Sequence, residues 1–424
     1  MNNAFLNLGP VPAIQISNNP VPTTQPAPPS NLPQFSFAFP QTVDPNFHVP
    51  YVQQWNFGIQ RQLPWNLTFE LNYVGNKANR LYRILDGNAP NNGQIASLRA
   101  FCADPTYAQR LQANPNNPGP NPNNAFGCID NPIARVQDET VQSSNLYIGA
   151  ELGLLPFDAV QNAAAFHANE SNSVANSNNH SLQATLNRQF SHGMSFGANY
   201  TWAHAIDDAS DGFRPQQGEF PFPANSGFLA RERGNSSFDV RNRFVLNYVT
   251  ELPLGRGKSH LTNGLVGRAL EGWTWSGIAT LQSGFPYEIF EGGVDSDGTG
   301  AQQRASFATS PTSIPFPTGL PVTGANRGLF TFPLFGGPGN VGRNVFRGPH
   351  YRNFDMVISK NTKLTERVSL QFRSEFYNIF NHPNFQQPDQ FINDATFGES
   401  TAQVGRNDNT TGARQLQFGM KLLF

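Results

Sequence analysis

Val52-Gln53-Gln54-Trp55-Asn56-Phe57-Gly58-Ile59-Gln60-Arg61-Gln62-Leu63, then Pro64-Trp65-Asn66, then Leu67-Thr68-Phe69-Glu70-Leu71-Asn72-Tyr73, is the stretch that decides the fold. Trp55, Phe57 and Ile59 share one parity; Gln54, Asn56, Gly58 and Gln60 share the other. Beyond the Pro-Trp-Asn turn, Leu67, Phe69, Leu71 and Tyr73 alternate with Thr68, Glu70 and Asn72. Successive side chains of a strand point to opposite faces, so the stretch predicts a β-hairpin with one apolar and one polar face.

The pattern recurs down the chain. Leu182, Ala184 and Leu186 alternate with Gln183, Thr185 and Asn187; after Ser191-His192-Gly193, Met194, Phe196, Ala198, Tyr200 and Trp202 alternate with Ser195, Gly197, Asn199 and Thr201. Phe244, Leu246, Tyr248 and Leu252 mark a fifth strand opposite Asn247. A sixth runs from Trp273 and Trp275 to about Phe285, with Ile278 out of phase. Phe354, Met356 and Ile358 lie opposite Asp355 and Ser359. Val368, Leu370, Phe372 and Phe376 lie opposite Gln371, Arg373 and Glu375. The ninth strand is the C-terminus, with Leu416, Phe418, Met420, Leu422 and Phe424 against Gln415, Gln417, Gly419 and Lys421.

The connections alternate as well. Strands one and two, three and four, and seven and eight are joined by tight turns, and five and six by a moderate link from Pro253 to Glu271. Residues 76–178, 205–239, 286–350 and 381–413 are long, loop-like and dense in Asn, Pro and Gly. Strands of roughly 10–12 residues, short turns on one side and long loops on the other are the pattern of an outer-membrane β-barrel. Lipid offers the backbone no hydrogen bonds, so strands must pair with each other and present apolar side chains outward. Arg61 and Arg188 share the apolar parity only at strand ends, where a long side chain reaches the interface. Glu70, Asn72, Asn199, Asp355, Arg373, Glu375 and Lys421 take the opposite, lumen-facing parity. Tyr73, Tyr200 and Trp202 near one end, and Trp65, Trp273 and Trp275 near the other, sit where aromatic girdles form. A soluble β-sandwich is the alternative, but its strands average about 5–6 residues.

Composition agrees. Charged residues are only 13% of the 424-residue chain, which instead carries 38 Gly, 34 Pro and 36 Phe. That mixture suits half-wet strands and polar loops, and suits helices badly. A net charge of −1 with scattered basic residues gives no footprint for nucleic acid. Residues 1–49, rich in Pro, Asn and Gln, read as an extracellular loop or linker, and 50–424 as one all-β, antiparallel transmembrane barrel segment. Met1-Asn2-Asn3 lacks a basic region, and Pro10, Pro12 and Pro20 interrupt any apolar core, so no signal peptide is read there. If the last strand ends in the periplasm, the first enters from outside. A complete bacterial barrel has an even number of strands and both ends inside, so the nine read as the last nine of a larger, here incomplete, barrel whose export signal lies upstream.

Four pieces carry a family resemblance: Tyr51-Val52-Gln53-Gln54-Trp55-Asn56, Leu71-Asn72-Tyr73-Val74-Gly75-Asn76-Lys77, Leu281-Gln282-Ser283-Gly284-Phe285-Pro286 and Phe376-Tyr377-Asn378-Ile379-Phe380-Asn381. In this order, over about residues 40–424, they resemble the C-terminal half of TonB-dependent receptors, most of all the Oar-like branch. The resemblance implies a barrel of about 22 strands closed by an N-terminal plug, and ligand uptake driven through TonB. Plug and TonB contacts would lie outside this chain. Residues 76–178, 205–239 and 286–350 would then form an outer mouth for an unidentified ligand. A structural or adhesive surface barrel is the second reading, and no nucleophile arrangement supports a hydrolase.

The C-terminal strand, with Leu416, Phe418, Met420, Leu422 and terminal Phe424, resembles the signal read by the barrel assembly machinery, which captures an exposed edge by strand addition. Cys102 and Cys128 are the only cysteines. In an oxidising compartment they predict a disulfide closing about 26 residues, worth roughly 3 kcal/mol, with two free thiols as the alternative. No Cys/His metal spacing and no cofactor motif is present. Gly257-Lys258-Ser259 lacks the earlier glycine of a phosphate loop, Leu252 standing there, and reads as a turn. Asp295-Ser296-Asp297-Gly298-Thr299-Gly300 begins like a calcium loop, but Ser306 replaces the closing Glu. Like Asp207, Asp208 and Asp211, it reads as an acidic outer turn.

Overall fold

The computed structural model describes residues 41–86, 169–210, 223–224, 226, 228–292, 303–309, 324–331, 339–404 and 412–424. Its strands are β1 (Gln41–Val43), β2 (Tyr51–Leu63), β3 (Leu67–Asp86), β4 (Asn169–Ser191), β5 (Met194–Asp207), β6 (Gly234–Asn235), β7 (Asn242–Glu251), β8 (Trp273–Gln282), β9 (Pro286–Tyr287), β10 (Ser306–Phe307), β11 (Phe330–Thr331), β12 (Phe346–Arg347), β13 (Tyr351–Lys363), β14 (Ser369–Tyr377) and β15 (Gln415–Leu423).

Nine strands form one sheet in the order β15-β14-β13-β8-β7-β5-β4-β3-β2, each pair antiparallel. They are the nine read from the alternation. β1 adds parallel to β4 and β6 antiparallel to β5, and no pairing joins β2 to β15 among the described residues, so the sheet is open. The fold is all-β and barrel-like without closure.

Register carries the alternation across the whole sheet. Phe69, Leu186, Ala198, Leu246, Ala279 and Phe354 are successive cross-strand partners on one face. Gln60, Glu70, Thr185, Asn199, Val245, Thr280 and Asn353 are successive partners on the other. The apolar face is bare: Phe57 is 68% exposed and Met420 72%. A contiguous apolar surface of this kind marks an interaction face. At one end of the sheet the connections are short. Ser191 and Met194 pair across His192 (φ 51) and Gly193 (φ 77), both left-handed as a two-residue hairpin turn requires.

Several boundaries move. Residues 76–86 and 169–178, read as loop, are the upper parts of β3 and β4. Asn, Ser and charged residues interrupt the apolar/polar alternation there, so the periodic signal ends although the ladder continues. Gln41–Val43, inside the segment read as linker, pairs with Asn169–Ser171. Ile278 lies on the polar face with no register break, opposite Asn247 and Asp355. The link from β7 to β8, read as a turn, contains a seven-residue helix, α1 (Gly264–Leu270).

The largest departure is at the opposite end. The segments 286–350 and 381–413, read as loops, build a small core from Tyr287, Ile289, Ala305, Phe330, Val341, Phe346, Ile392 and Phe397. Two short pairings, β9 with β12 and β10 with β11, organise it. These residues are too far apart in sequence, and too short as strands, to show any period.

Candidate functional site

The polar face is the first part of the site. Glu70 stands beside Thr185, and Thr185 Oγ1 donates to Asn199 Oδ1 at 3.1 Å, so Glu70 and Asn199 are two strands apart in one row. Asn72 Nδ2 donates to Glu70 Oε1 at 2.6 Å. On the other flank Arg373 and Glu375 form an ion pair at 2.5 Å, Tyr377 OH donates to Glu375 Oε2 at 2.8 Å, and Lys421 lies opposite Gln371. Asp355 shares this face and accepts Asn378 N–H at 2.9 Å through Oδ1. Along this face Glu70, Asn72 and Asn199 form one group, and Asp355, Arg373, Glu375 and Lys421 another. Between them β7 and β8 present Val245, Val249 and Ile278 interspersed with Asn247, Ser276 and Thr280, so this part of the face carries no charge.

The second part is a buried ionic rim above that face, absent from the sequence reading. A bulge in β3 at left-handed Arg80 (φ 56) shifts register between Ala78 and Leu81 and again before Arg83. Bulges re-aim side chains, and here Arg83 turns inward. Its Nη2 meets Glu232 Oε2 at 2.9 Å, and Arg304 Nη2 meets the other oxygen, Oε1, at 2.7 Å. Arg304 Nη1 also reaches Glu288 Oε1 at 3.2 Å. Arg343 Nη1 pairs with Asp207 Oδ1 at 2.7 Å, and Arg343 Nη2 donates to Ser210 Oγ at 2.8 Å. Arg347 pairs with Asp239, whose Oδ1 accepts Ala205 N–H at 2.7 Å. Burial alone would raise the Glu232 carboxyl. The facing charges of Arg304 and Arg83 outweigh it and hold the group at about 2. Burial would lower the Arg304 guanidinium, but Glu232 and Glu288 raise it instead. Glu232 and Arg304 are thus both charged at neutral pH.

Asp207 and Asp208 do not form an open acidic turn: Asp207 carries Arg343, and Asp208 carries Arg233 at 3.3 Å. Asp211, residues 295–300, and the Cys102 and Cys128 pair lie outside the described residues. Leu416, Phe418, Met420 and Leu422 project on the apolar face beside Phe376, Ser374, Phe372 and Leu370. Phe424, 96% exposed, extends past the last paired residue, Leu423.

A family model described as an outer membrane beta barrel domain matches residues 2–417. The chain belongs to that family. Its place is the outer membrane. No curated protein sequence matches the chain. Among solved structures, the outer membrane transporter YddB from Escherichia coli aligns at TM-score 0.42 and 8% identity, over 91% of this chain and 34% of that one. The ferric preacinetobactin receptor BauA from Acinetobacter baumannii aligns at 0.36 and 9%, over 88% and 29%. The pyoverdine receptor FpvA from Pseudomonas aeruginosa aligns at 0.35 and 11%, over 88% and 30%. The chain spans about a third of the length of these proteins.

Proposed function

We propose that this outer-membrane barrel domain is the C-terminal wall of a TonB-dependent receptor of the Oar-like branch. The polar face lines the lumen, the rim forms part of the extracellular mouth, and a plug from another part of the receptor contacts TonB. One observation carries the reading: nine antiparallel strands in continuous register, with most polar residues on one face and most large apolar residues on the other. A transporter needs a wetted interior, because a ligand moving past the wall exchanges water for side-chain hydrogen bonds. Glu70, Asn72 and Asn199 offer one such patch, and Asp355, Arg373, Glu375 and Lys421 a more charged one. The uncharged stretch between them would lie against the plug.

The test uses outer membranes of cells producing the whole receptor, with Cys102 and Cys128 replaced by serine. A membrane-impermeant maleimide is expected to label Thr185→Cys and Asn199→Cys and to spare Ala198→Cys and Leu246→Cys. The TonB C-terminal domain is expected to retain the receptor on a column. Lumenal labelling without TonB retention would instead support a surface barrel that transports nothing. Equal labelling of both parities would refute the lumen assignment.

A further inference from the structure

The link between β7 and β8 is the exception at the short-turn end of the sheet, because it folds on itself. Gly255 N donates to His260 O at 3.0 Å, Arg256 N to Gly267 O at 3.3 Å and Gly267 N to Asn263 O at 3.1 Å. A Cβ on Gly267 would lie 2.5 Å from Thr262 O, so α1 packs directly on the turn before it. This knob buries none of its large aliphatic side chains fully, and three of them are exposed. Leu265 is 84% exposed, Leu261 59% and Val266 57%.

Its attachment fixes which side of the wall it occupies. Trp273 Nε1 donates to Ala269 O at 3.0 Å. Lys360 Nζ donates to the same carbonyl and stands 5.3 Å from the Trp273 ring centre. Trp273 and Lys360 are cross-strand partners two positions below Trp275 and Ile358, on the apolar face. The C-terminal end of α1 is therefore held on the outward side, level with a tryptophan and a lysine at the end of the lipid-facing strands. Arg256, Lys258 and Arg268 are exposed around it. Of the two nearby acids, Glu251 pairs with Lys258, leaving Glu271 against the remaining cations.

We infer that this knob is an interfacial membrane anchor. Leu261, Leu265 and Val266 insert into the leaflet at the short-turn end, and Arg256 and Arg268 engage phosphates of anionic glycerophospholipids. Exposed aliphatics beneath a basic collar are what interfacial elements present to anionic bilayers, and Trp with Lys marks the boundary depth. Attachment to the outward face favours lipid over a periplasmic protein as the cover. The inference rests on the apolar face being the lipid face, and the test reads the two separately.

The full chain, in the receptor as assembled, is reconstituted in phosphatidylcholine vesicles with or without phosphatidylglycerol, plus a trace of phospholipid bearing a diazirine near its headgroup. After illumination, labelled peptides are mapped. Residues 261–266 are expected to be labelled, with Leu265→Asn reducing the yield several-fold. Phosphatidylglycerol is expected to raise labelling of the native knob and not that of the Arg256→Gln, Arg268→Gln double variant. Labelled outward strands, such as those carrying Trp275 and Phe372, beside an unlabelled knob would overturn the anchor. Labelling indifferent to phosphatidylglycerol would overturn the headgroup contact. If the strands also stay unlabelled, the lipid-face assignment falls and the anchor with it.

Discussion

Glu232→Gln is the sharpest probe of the rim. The substitution keeps the shape of the side chain and removes the charge that both Arg83 (2.9 Å) and Arg304 (2.7 Å) face. Arg304 retains Glu288 at 3.2 Å, but Arg83 keeps no carboxylate among the ion pairs described. Stripping one partner from a buried pair costs about 3–5 kcal/mol, because the remaining charge stays out of water. Moving the carboxyl from its ordinary 4.5 to about 2 corresponds to stabilisation on the order of 3 kcal/mol, the same scale. The loss should be local, since these residues tie irregular segments to strand ends and do not pair the sheet. Hydrogen exchange on the purified receptor in detergent is therefore expected to speed up on the order of 100-fold in residues 228–235 and 303–307, with amides of β4, β5 and β7 unchanged. Because the folded group titrates below its ordinary value, the contribution is complete above about pH 4.5. It fades as pH falls toward 2, so native and variant protein should converge in acid. Unchanged exchange at the rim, or a rise spread evenly over the strands, would refute a local ionic lock.

Other expectations follow from the same geometry. Leu246→Arg places a charge on the lipid side near the middle of β7 and should cost about 2–4 kcal/mol in a urea titration of vesicle-inserted protein, whereas Asn247→Arg on the opposite face should be nearly neutral. Arg343→Lys keeps the charge but cannot hold Asp207 Oδ1 and Ser210 Oγ together; protease cleavage within 339–347 should rise several-fold in the lysine variant. Truncating Phe418 and Phe424 to alanine should lower the outer-membrane level of the protein several-fold, measured against total synthesis, if the terminal strand is the assembly signal. A digest without reductant should yield one peptide pair joined through Cys102 and Cys128; two separately alkylated peptides would exclude the disulfide.

The wall was legible in the sequence because most of its strands keep a period of two. Trp55, Phe57 and Ile59, or Phe418, Met420 and Leu422, share one face because alternate positions of a strand point the same way, which acts locally. Ile278 breaks that rule in the sequence and keeps its register in the fold, so a single residue out of phase is a poor witness for a bulge. The true bulge sits at Arg80, where Asn and Arg carry no pattern to break. The rim was invisible for a related cause. Tyr287, Phe330, Phe346 and Phe397 meet from segments about 110 residues apart, with two-residue strands between them. A signal did exist: in a chain with 13% charged residues, Arg231-Glu232-Arg233 and Asp239-Val240-Arg241 concentrate charge inside stretches read as loop. Such concentrations point to ion pairing, though not to the partner.

Why arginine builds this rim follows from the backbone around it. The segments near Asp207, Glu232 and Asp239 are irregular, so several carbonyl groups there lack a ladder partner, and an unpaired buried carbonyl is costly. Arginine carries five N–H donors in a rigid fork and can serve a carboxylate and a carbonyl together. Arg343 Nη1 donates to Asp207 Oδ1 and also to the Asp207 and Glu232 carbonyls, at 3.0 and 3.2 Å. Arg347 Nη1 serves the Asp239 and Gly284 carbonyls at 2.9 and 3.2 Å while its other nitrogen holds the Asp239 carboxylate. Arg304 Nη2 reaches the Arg231 carbonyl at 3.3 Å beside Glu232. The forks close over backbone distant from them in sequence, so the charged side chains do for this irregular region what ladder hydrogen bonds do for the wall. The carboxylates neutralise the forks, and the forks satisfy the chain. Neutralising one carboxylate therefore loosens the backbone at both ends of the arginine it served, which is why the Glu232 variant should be read by amide exchange along the segments and not by the stability of the sheet.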